Sequence, residues 1–312
     1  MAASVGVAAT IRLKDILLLT DFSEPSEKSI PFAAALARAH DATIHALHVL
    51  VPDPLVAVAP ETASIAFDAR CEQALASMRE FEPRLAGVVH ECLVERAVNV
   101  WDAVEQAIRD YSVDLIVLGT HGRTGARRFL LGSAAEEIFR RSPIPVMTVG
   151  PAAQFNLKSD GRFSCILYAT DFTPSSLAAA PYSKTLASFA QGRLLLLHVL
   201  RMAGPRVNGD DTRVSVAETI HRLRSIVPEA ESLGVAAEAL IEYGKPAERI
   251  LEVANYRSAD VIVLGVRSAR GHLAAATHLE RALAHEVVAQ ALCPVITVCG
   301  EHYDVTGAAS AN

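Results

Sequence analysis

Short runs that are apolar at every position recur along the chain, separated by longer stretches whose apolar residues return every three or four positions. Ile16 to Leu19, Leu115 to Leu118 and Leu194 to Leu197 are such runs. A strand with one wet face would alternate apolar and polar residues, so unbroken runs point to strands covered by helices on both faces. Between the runs, Ala103, Val104, Ala107, Ile108 and Tyr111 fall at helical spacing, as do Ala134, Ala135, Ile138 and Phe139. In the first half the pattern predicts strands near 15–20, 43–50, 88–94, 114–119 and 145–149. Strands alternating with helices form a parallel sheet with crossover connections.

The pattern occurs twice. Ile16-Leu-Leu-Leu-Thr-Asp-Phe-Ser23 returns as Ile166-Leu-Tyr-Ala-Thr-Asp-Phe-Thr173, and Leu47-His-Val-Leu50 as Leu197-His-Val-Leu200, each 150 residues later. Asp114-Leu-Ile-Val-Leu-Gly119 returns as Asp260-Val-Ile-Val-Leu-Gly265 at an offset of 146, and Pro145-Val-Met-Thr-Val149 as Pro294-Val-Ile-Thr-Val298 at 149. The drift locates small loop insertions and deletions. An internal repeat sets the architecture before any propensity argument does. The expected fold class is α/β, with two tandem doubly wound, five-stranded parallel-sheet domains of Rossmann-like type. They cover residues 12–150 and 162–300, with 151–161 as the linker and 301–312 as a disordered tail.

Composition narrows the function classes. A length of 312 residues suits two domains, each able to bury its own core. Apolar residues make up 51% and charged residues 21%, which excludes a wholly disordered chain. The apolar runs fall far short of a membrane span. Arg12 and Lys14 follow the apolar N-terminal stretch, the reverse of the order in a secretory signal, so that stretch reads as a frayed terminus. Five cysteines, odd in number and never spaced C-x-x-C, suggest neither a disulfide framework nor a zinc site and fit a reducing cytosol. A net charge of −6 provides no basic excess for nucleic acid. A small anion held by local geometry is compatible with that balance.

In open α/β sheets ligands bind where strands end and helices begin, so the loops after the first and fourth strands carry the candidate chemistry. The fourth strand runs into Gly119-Thr-His-Gly122-Arg-Thr-Gly-Ala-Arg-Arg-Phe-Leu-Leu-Gly132-Ser133, a glycine-rich loop with three arginines that re-enters a helix. Glycines admit backbone N–H groups close to an anion, and a helix start adds unpaired donors and partial positive charge. Ser133 followed by Glu136 reads as a capping box opening that helix. Glycines occur in ordinary turns as well, so the loop alone leaves a structural role open.

The spacing of Gly119, Gly122, Gly132 and Ser133 resembles the Gly-x2-Gly-x9-Gly-Ser/Thr pattern of the ATP-binding branch of the universal stress protein family, and the resemblance extends over residues 12 to 300. It implies that these residues, with His121 and Arg123, hold a triphosphate. It also implies an aspartate near the ribose and a strand-two residue near the adenine, which match Asp21 and Val49. Asp21 has an alternative role as a cap for the helix starting near Ser23 or Ser26. Val49 is core as well as contact. His48 and His198, within strands, read as hydrogen-bonded core residues, and Arg140 and Arg141 as a solvated helix end. No catalytic residue and no metal-ligand set emerges.

The second half departs from the pattern. After Gly265 the second glycine position is Ser268, and the third-glycine and serine positions are His278 and Leu279, or Arg281 and Ala282 when counted back from Pro294. Beta carbons at those positions obstruct an anion cradle, so this half is expected to bind ATP weakly or not at all. The resemblance further implies that the two halves pair through their last strands, with association of two chains as a further step. The function it implies is ATP binding by a cytoplasmic, nucleotide-dependent regulator or sensor in the stress response, with little or no turnover. The alternatives are a slow ATPase or phosphoryl-transfer enzyme, with His121 or Asp21 assisting and Mg2+ bridging the phosphates, and a protein-interaction module without nucleotide. A Walker lysine is absent after Gly132-Ser133.

Overall fold

The computed structural model describes residues 13–52, 60–120, 132–155, 161–200, 216–228, 234–266 and 283–300, with side chains in the second stretch from residue 67 onward. Three of the expected site residues, His121, Gly122 and Arg123, lie outside the described residues, as do Ser268, His278, Leu279, the 156–160 portion of the linker and the tail.

In the first half the strands are β1 (Asp15–Leu19), β2 (Thr43–Leu50), β3 (His90–Arg96), β4 (Leu115–Gly119) and β5 (Val146–Val149). In the second they are β6 (Cys165–Ala169), β7 (Arg193–Leu200), β8 (Ala236–Tyr243), β9 (Val261–Val266) and β10 (Val295–Cys299). The helices of the first half are α1 (Glu24–Glu27), α2 (Ile30–His40), α3 (Pro60–Phe81), α4 (Val100–Tyr111) and α5 (Ser133–Arg141). Those of the second are α6 (Pro174–Leu177), α7 (Ala180–Ala190), α8 (Val216–Ser225), α9 (Pro246–Tyr256) and α10, residues 283–290.

All ten strands join one sheet in the order β3-β2-β1-β4-β5-β10-β9-β6-β7-β8, so each half repeats the same five-strand order. Pairing within each half is parallel, with Ile16 opposite Ile44 on one side and Leu115 on the other. The halves meet through β5 and β10, which run antiparallel, with Val295 opposite Thr148 and Thr297 opposite Val146.

The unbroken apolar runs pack as their pattern requires. Successive strand side chains point to opposite faces, and Ile16 and Leu18 enter one core cluster with Phe32 of α2 and Met78 of α3, while Leu17 and Leu19 enter another with Trp101 and Val104 of α4. Leu115 and Val117 divide from Ile116 and Leu118 in the same way. The first cluster crosses the seam, joining Met147 and Val149 to Ile296 and Val298. Sequential crossovers on both faces leave β1 flanked by β2 and β4, a point where the strand order reverses and a crevice opens at the strand ends.

Repeated polar residues anchor both halves. Asp114 accepts hydrogen bonds from the N–H groups of Lys14 (2.6 Å) and Asp15 (3.1 Å), tying β4 to the entry of β1. Asp260 does the same with Ser164 (2.6 Å) and Cys165 (2.9 Å). The strand histidines are structural as expected: Nδ1 of His48 bonds the Thr20 carbonyl at 2.8 Å and Nδ1 of His198 bonds that of Thr170 at 2.8 Å.

Candidate functional site

The crevice beside β1 forms a cavity of about 190 Å3, bounded by the ends of β1, β2 and β4 and by the first turn of α5. Asp21, Val49, Gly119, Gly132 and Ser133 all line it, so five residues from four separate stretches of sequence converge on one space.

The turn after β1 is built by short polar side chains. Asp21 Oδ1 accepts from the Ser23 N–H (3.0 Å) and the Ser23 hydroxyl (2.5 Å), and Ser23 in turn caps α1 by accepting from the Ser26 N–H. Asp21 therefore does not cap the helix itself; it holds the residue that does. Phe22 between them takes a left-handed φ of 61°, unusual for an aromatic residue. Its ring packs against His48, with 4.4 Å between centroids. Asp171, Phe172 and Thr173 reproduce this turn, with hydrogen bonds of 3.0 and 2.6 Å and a φ of 62° at Phe172. Burial raises the Asp171 pKa, but the hydrogen bonds from Thr173 and Ser176 outweigh it and hold the carboxyl below its ordinary value.

The capping box expected at Ser133 is not formed. Gly132 is the N-cap, with φ −58° and ψ 151°, and Ser133 is the first helical residue. The reason is tertiary: the Gly132 N–H donates to the Thr120 carbonyl at 2.7 Å, which fixes where the chain enters the helix, and the Glu136 N–H then closes onto the Gly132 carbonyl at 2.8 Å. The N–H groups of Ser133, Ala134 and Ala135 are left without intrahelical acceptors, as at any helix start, and all three residues line the cavity. Unpaired donors together with the positive end of a helix of nine residues suit a negatively charged group there.

Gly119 lines the cavity, yet its missing side chain has a packing cause. A β-carbon there would overlap the Pro25 carbonyl oxygen and come within 2.8 Å of Ser26 Cα, both backbone atoms of α1. Val49 is half-buried and packs against the cluster under α4, so it is core and cavity wall at once.

Sequence reasoning missed the Thr120 carbonyl, for which no residue pattern exists, and it missed α3. A second cavity of about 250 Å3 adjoins the first across Asp21, His48 and Val49 and is bordered by Arg70, Gln73 and Ser77 of that helix. Among the described residues no group of three or more His, Cys, Asp or Glu could hold a metal ion, and no helix is long and apolar enough to cross a membrane.

Comparison with known proteins agrees with this architecture. A universal stress protein of Methanocaldococcus jannaschii is 31% identical over 140 residues, covering 44% of this chain and 81% of that protein. One from Mycolicibacterium smegmatis is 25% identical over 263 residues, covering 80% of this chain and 86% of that one. The crystal structure of a universal stress protein from Archaeoglobus fulgidus superposes with a TM-score of 0.65 at 22% identity, covering 92% of this chain and 98% of its own, which shows the fold. The family model described as "Universal stress protein family" matches twice, over residues 12–150 and 163–298. With a tandem match over most of its length, the chain belongs to the universal stress protein family.

Proposed function

We propose that the first half binds ATP and that the chain acts as a nucleotide-dependent regulator or sensor in the cytoplasmic stress response, with little or no turnover. The observation that carries this reading is the convergence of Asp21, Val49, Gly119, Gly132 and Ser133 on one cavity floored by the free N–H groups of α5. Val49 and its strand edge suit a flat base, and the Asp21 carboxylate suits a ribose hydroxyl as acceptor. The α5 terminus with the Ser133 hydroxyl suits the phosphates, with His121, Gly122 and Arg123 completing the cradle in this reading. Asp21 is the one carboxylate among the described lining residues, so a Mg2+ ion would travel with the phosphates and not in a protein ligand set.

Turnover needs a positioned base or water-orienting group. Of the groups that could assist turnover, His121 lies outside the described residues, Asp21 has Oδ1 engaged by Ser23, and His48 has Nδ1 engaged by the Thr20 carbonyl. Because the last strands are already paired within the chain, association of two chains would use another surface.

Thermal unfolding with and without millimolar Mg-ATP tests the reading, since ligand at about 100 times its Kd adds about 2.7 kcal/mol. Gly132→Val, whose backbone angles suit any L-residue, is expected to fold normally and lose the shift. No shift in nucleotide-free wild-type protein overturns ATP binding and favours the interaction module.

A further inference from the structure

The cavity on the α3 side of the first half, about 250 Å3, has no part in the nucleotide reading. It lies across the sheet from the crevice at α5: Leu50 in its wall packs with Cys71 and Ala74 of α3, whereas Val49 packs under α4. Its sheet-side wall carries Phe22 and His48, whose rings stack at 4.4 Å. Its helix-side wall carries Arg70, Gln73 and Ser77, spaced along one face of α3.

The second half shows what such an aromatic pair accepts. Phe172 and His198 repeat the stack at 4.7 Å, and α8 lays the Arg222 guanidinium over the Phe172 ring, 4.1 Å from its centre. In the first half the helix facing the matching ring presents the short Ser77, and Phe22 borders open space. A planar cation entering that space gains the same ring face. Asp21 also lines it, with Oδ1 taken by Ser23 and Oδ2 without a hydrogen bond among the described residues. A carboxylate has about four acceptor positions, so Asp21 can serve this cavity and the crevice together. Among the described lining residues Asp21 and Arg70 carry the formal charges, one of each sign, which matches a zwitterion. The volume is below the roughly 300 Å3 at which pockets for drug-sized ligands begin, and suits a single amino acid.

We propose that this cavity binds a free amino acid with a planar cationic side chain, of which arginine is the type, its guanidinium on Phe22 beside Asp21 and its carboxylate at Arg70. The inference stands apart from the nucleotide reading, since it uses the opposite face of the sheet and an arrangement the second half displays with its own arginine.

The test is calorimetric titration of the full, nucleotide-free chain with L-arginine, L-lysine, L-citrulline and agmatine in turn. The expected result is one L-arginine site per chain, with lysine, which lacks the planar group, and citrulline, which lacks the charge, each weaker by about tenfold or more. Arg70→Gln, on an exposed helix face, should weaken arginine and leave agmatine, which has no carboxylate, unchanged. Ser77→Arg should fill the cavity as Arg222 covers Phe172 and remove the site; if that variant does not fold, the Arg70→Gln comparison decides. Absence of an arginine site, citrulline binding equal to arginine, or arginine binding unaltered by Arg70→Gln overturns the inference. ATP titrated separately keeps the two readings distinct: arginine binding without ATP binding overturns only the nucleotide reading, and ATP binding without arginine binding overturns only this one.

Discussion

Replacing Gly265 by alanine should destabilise the chain by about 3 kcal/mol, although this glycine belongs to the half without a glycine cradle. A β-carbon at Gly265 would overlap the Ser175 carbonyl oxygen and lie 2.5 Å from Ser176 Cα and 2.7 Å from the Ser175 carbonyl carbon. Carbon contacts relax at 3.5–4.0 Å, so α6 would have to retreat by about 1 Å. That retreat strains three hydrogen bonds to Ser176: from the Tyr168 hydroxyl to its carbonyl (2.7 Å), between its hydroxyl and Thr170 (2.9 Å), and from its N–H to Thr173 (3.2 Å). Overpacking against rigid partners costs about 1–3 kcal/mol, and backbone on the facing side puts this site at the upper end. Urea unfolding of the full chain at unchanged m-value measures the loss. Gly119→Ala should behave alike, since it meets Pro25 and Ser26 in the same manner. Gly132→Ala should cost less than about 1 kcal/mol, because its φ of −58° suits alanine. A Gly265→Ala protein within about 0.5 kcal/mol of wild type would refute the packing explanation.

Three further outcomes follow from the packing. His40 stacks on Phe189 across the seam at 4.0 Å, and burial, then the Arg162 charge, lower its pKa from 6.5 to about 4. The unfolded chain takes up this proton at higher pH than the folded one. Stability is therefore intact above pH 6.5 and falls on acidification toward pH 4, by up to about 2 kcal/mol at pH 5; His40→Leu should flatten the change in urea midpoint between pH 7.5 and 5, and an unaltered slope refutes it. Tyr168→Phe should cost about 1 kcal/mol in the same assay by removing the hydroxyl bond to the Ser176 carbonyl, which keeps only the Ala179 N–H at 3.3 Å, and a neutral result would refute a contribution from that bond. Asp260→Ala should cost about 2–3 kcal/mol by releasing the N–H groups of Ser164 and Cys165, with Asp260→Asn recovering part of it.

The strand-helix alternation was legible because burial on both faces leaves an unbroken apolar signature, and β2 matches its expected span of 43–50. The histidines were legible because a strand places His48 beside the carbonyl of a neighbouring turn. The start of α5 was misread by one residue. Local preference favours serine at an N-cap, but the Thr120 carbonyl captures the Gly132 N–H from twelve positions earlier in the chain, and a tertiary hydrogen bond leaves no mark in local sequence. The pairing of β5 with β10 likewise has no pattern of its own: Val146 to Val149 would be as apolar in a covered edge strand as at a seam. Resemblance, not periodicity, anticipated it.

The internal repeat separates what the fold needs from what a ligand needs. Residues with a structural cause survive in both copies: Asp21 and Asp171 hold the same turn, Asp114 and Asp260 tie the same strands, and Gly119 and Gly265 admit the same short helix. At Gly132 and Ser133 the backbone angles admit other residues, and Ser133 makes no capping bond. These are the positions at which the second copy diverges. Persistence of Asp171 is therefore no sign of a ligand, and Asp21 by itself is a weak one. The weight of the nucleotide reading falls on the α5 terminus, which is why Gly132, and not Asp21, is the residue whose replacement discriminates between a nucleotide site and a fold element.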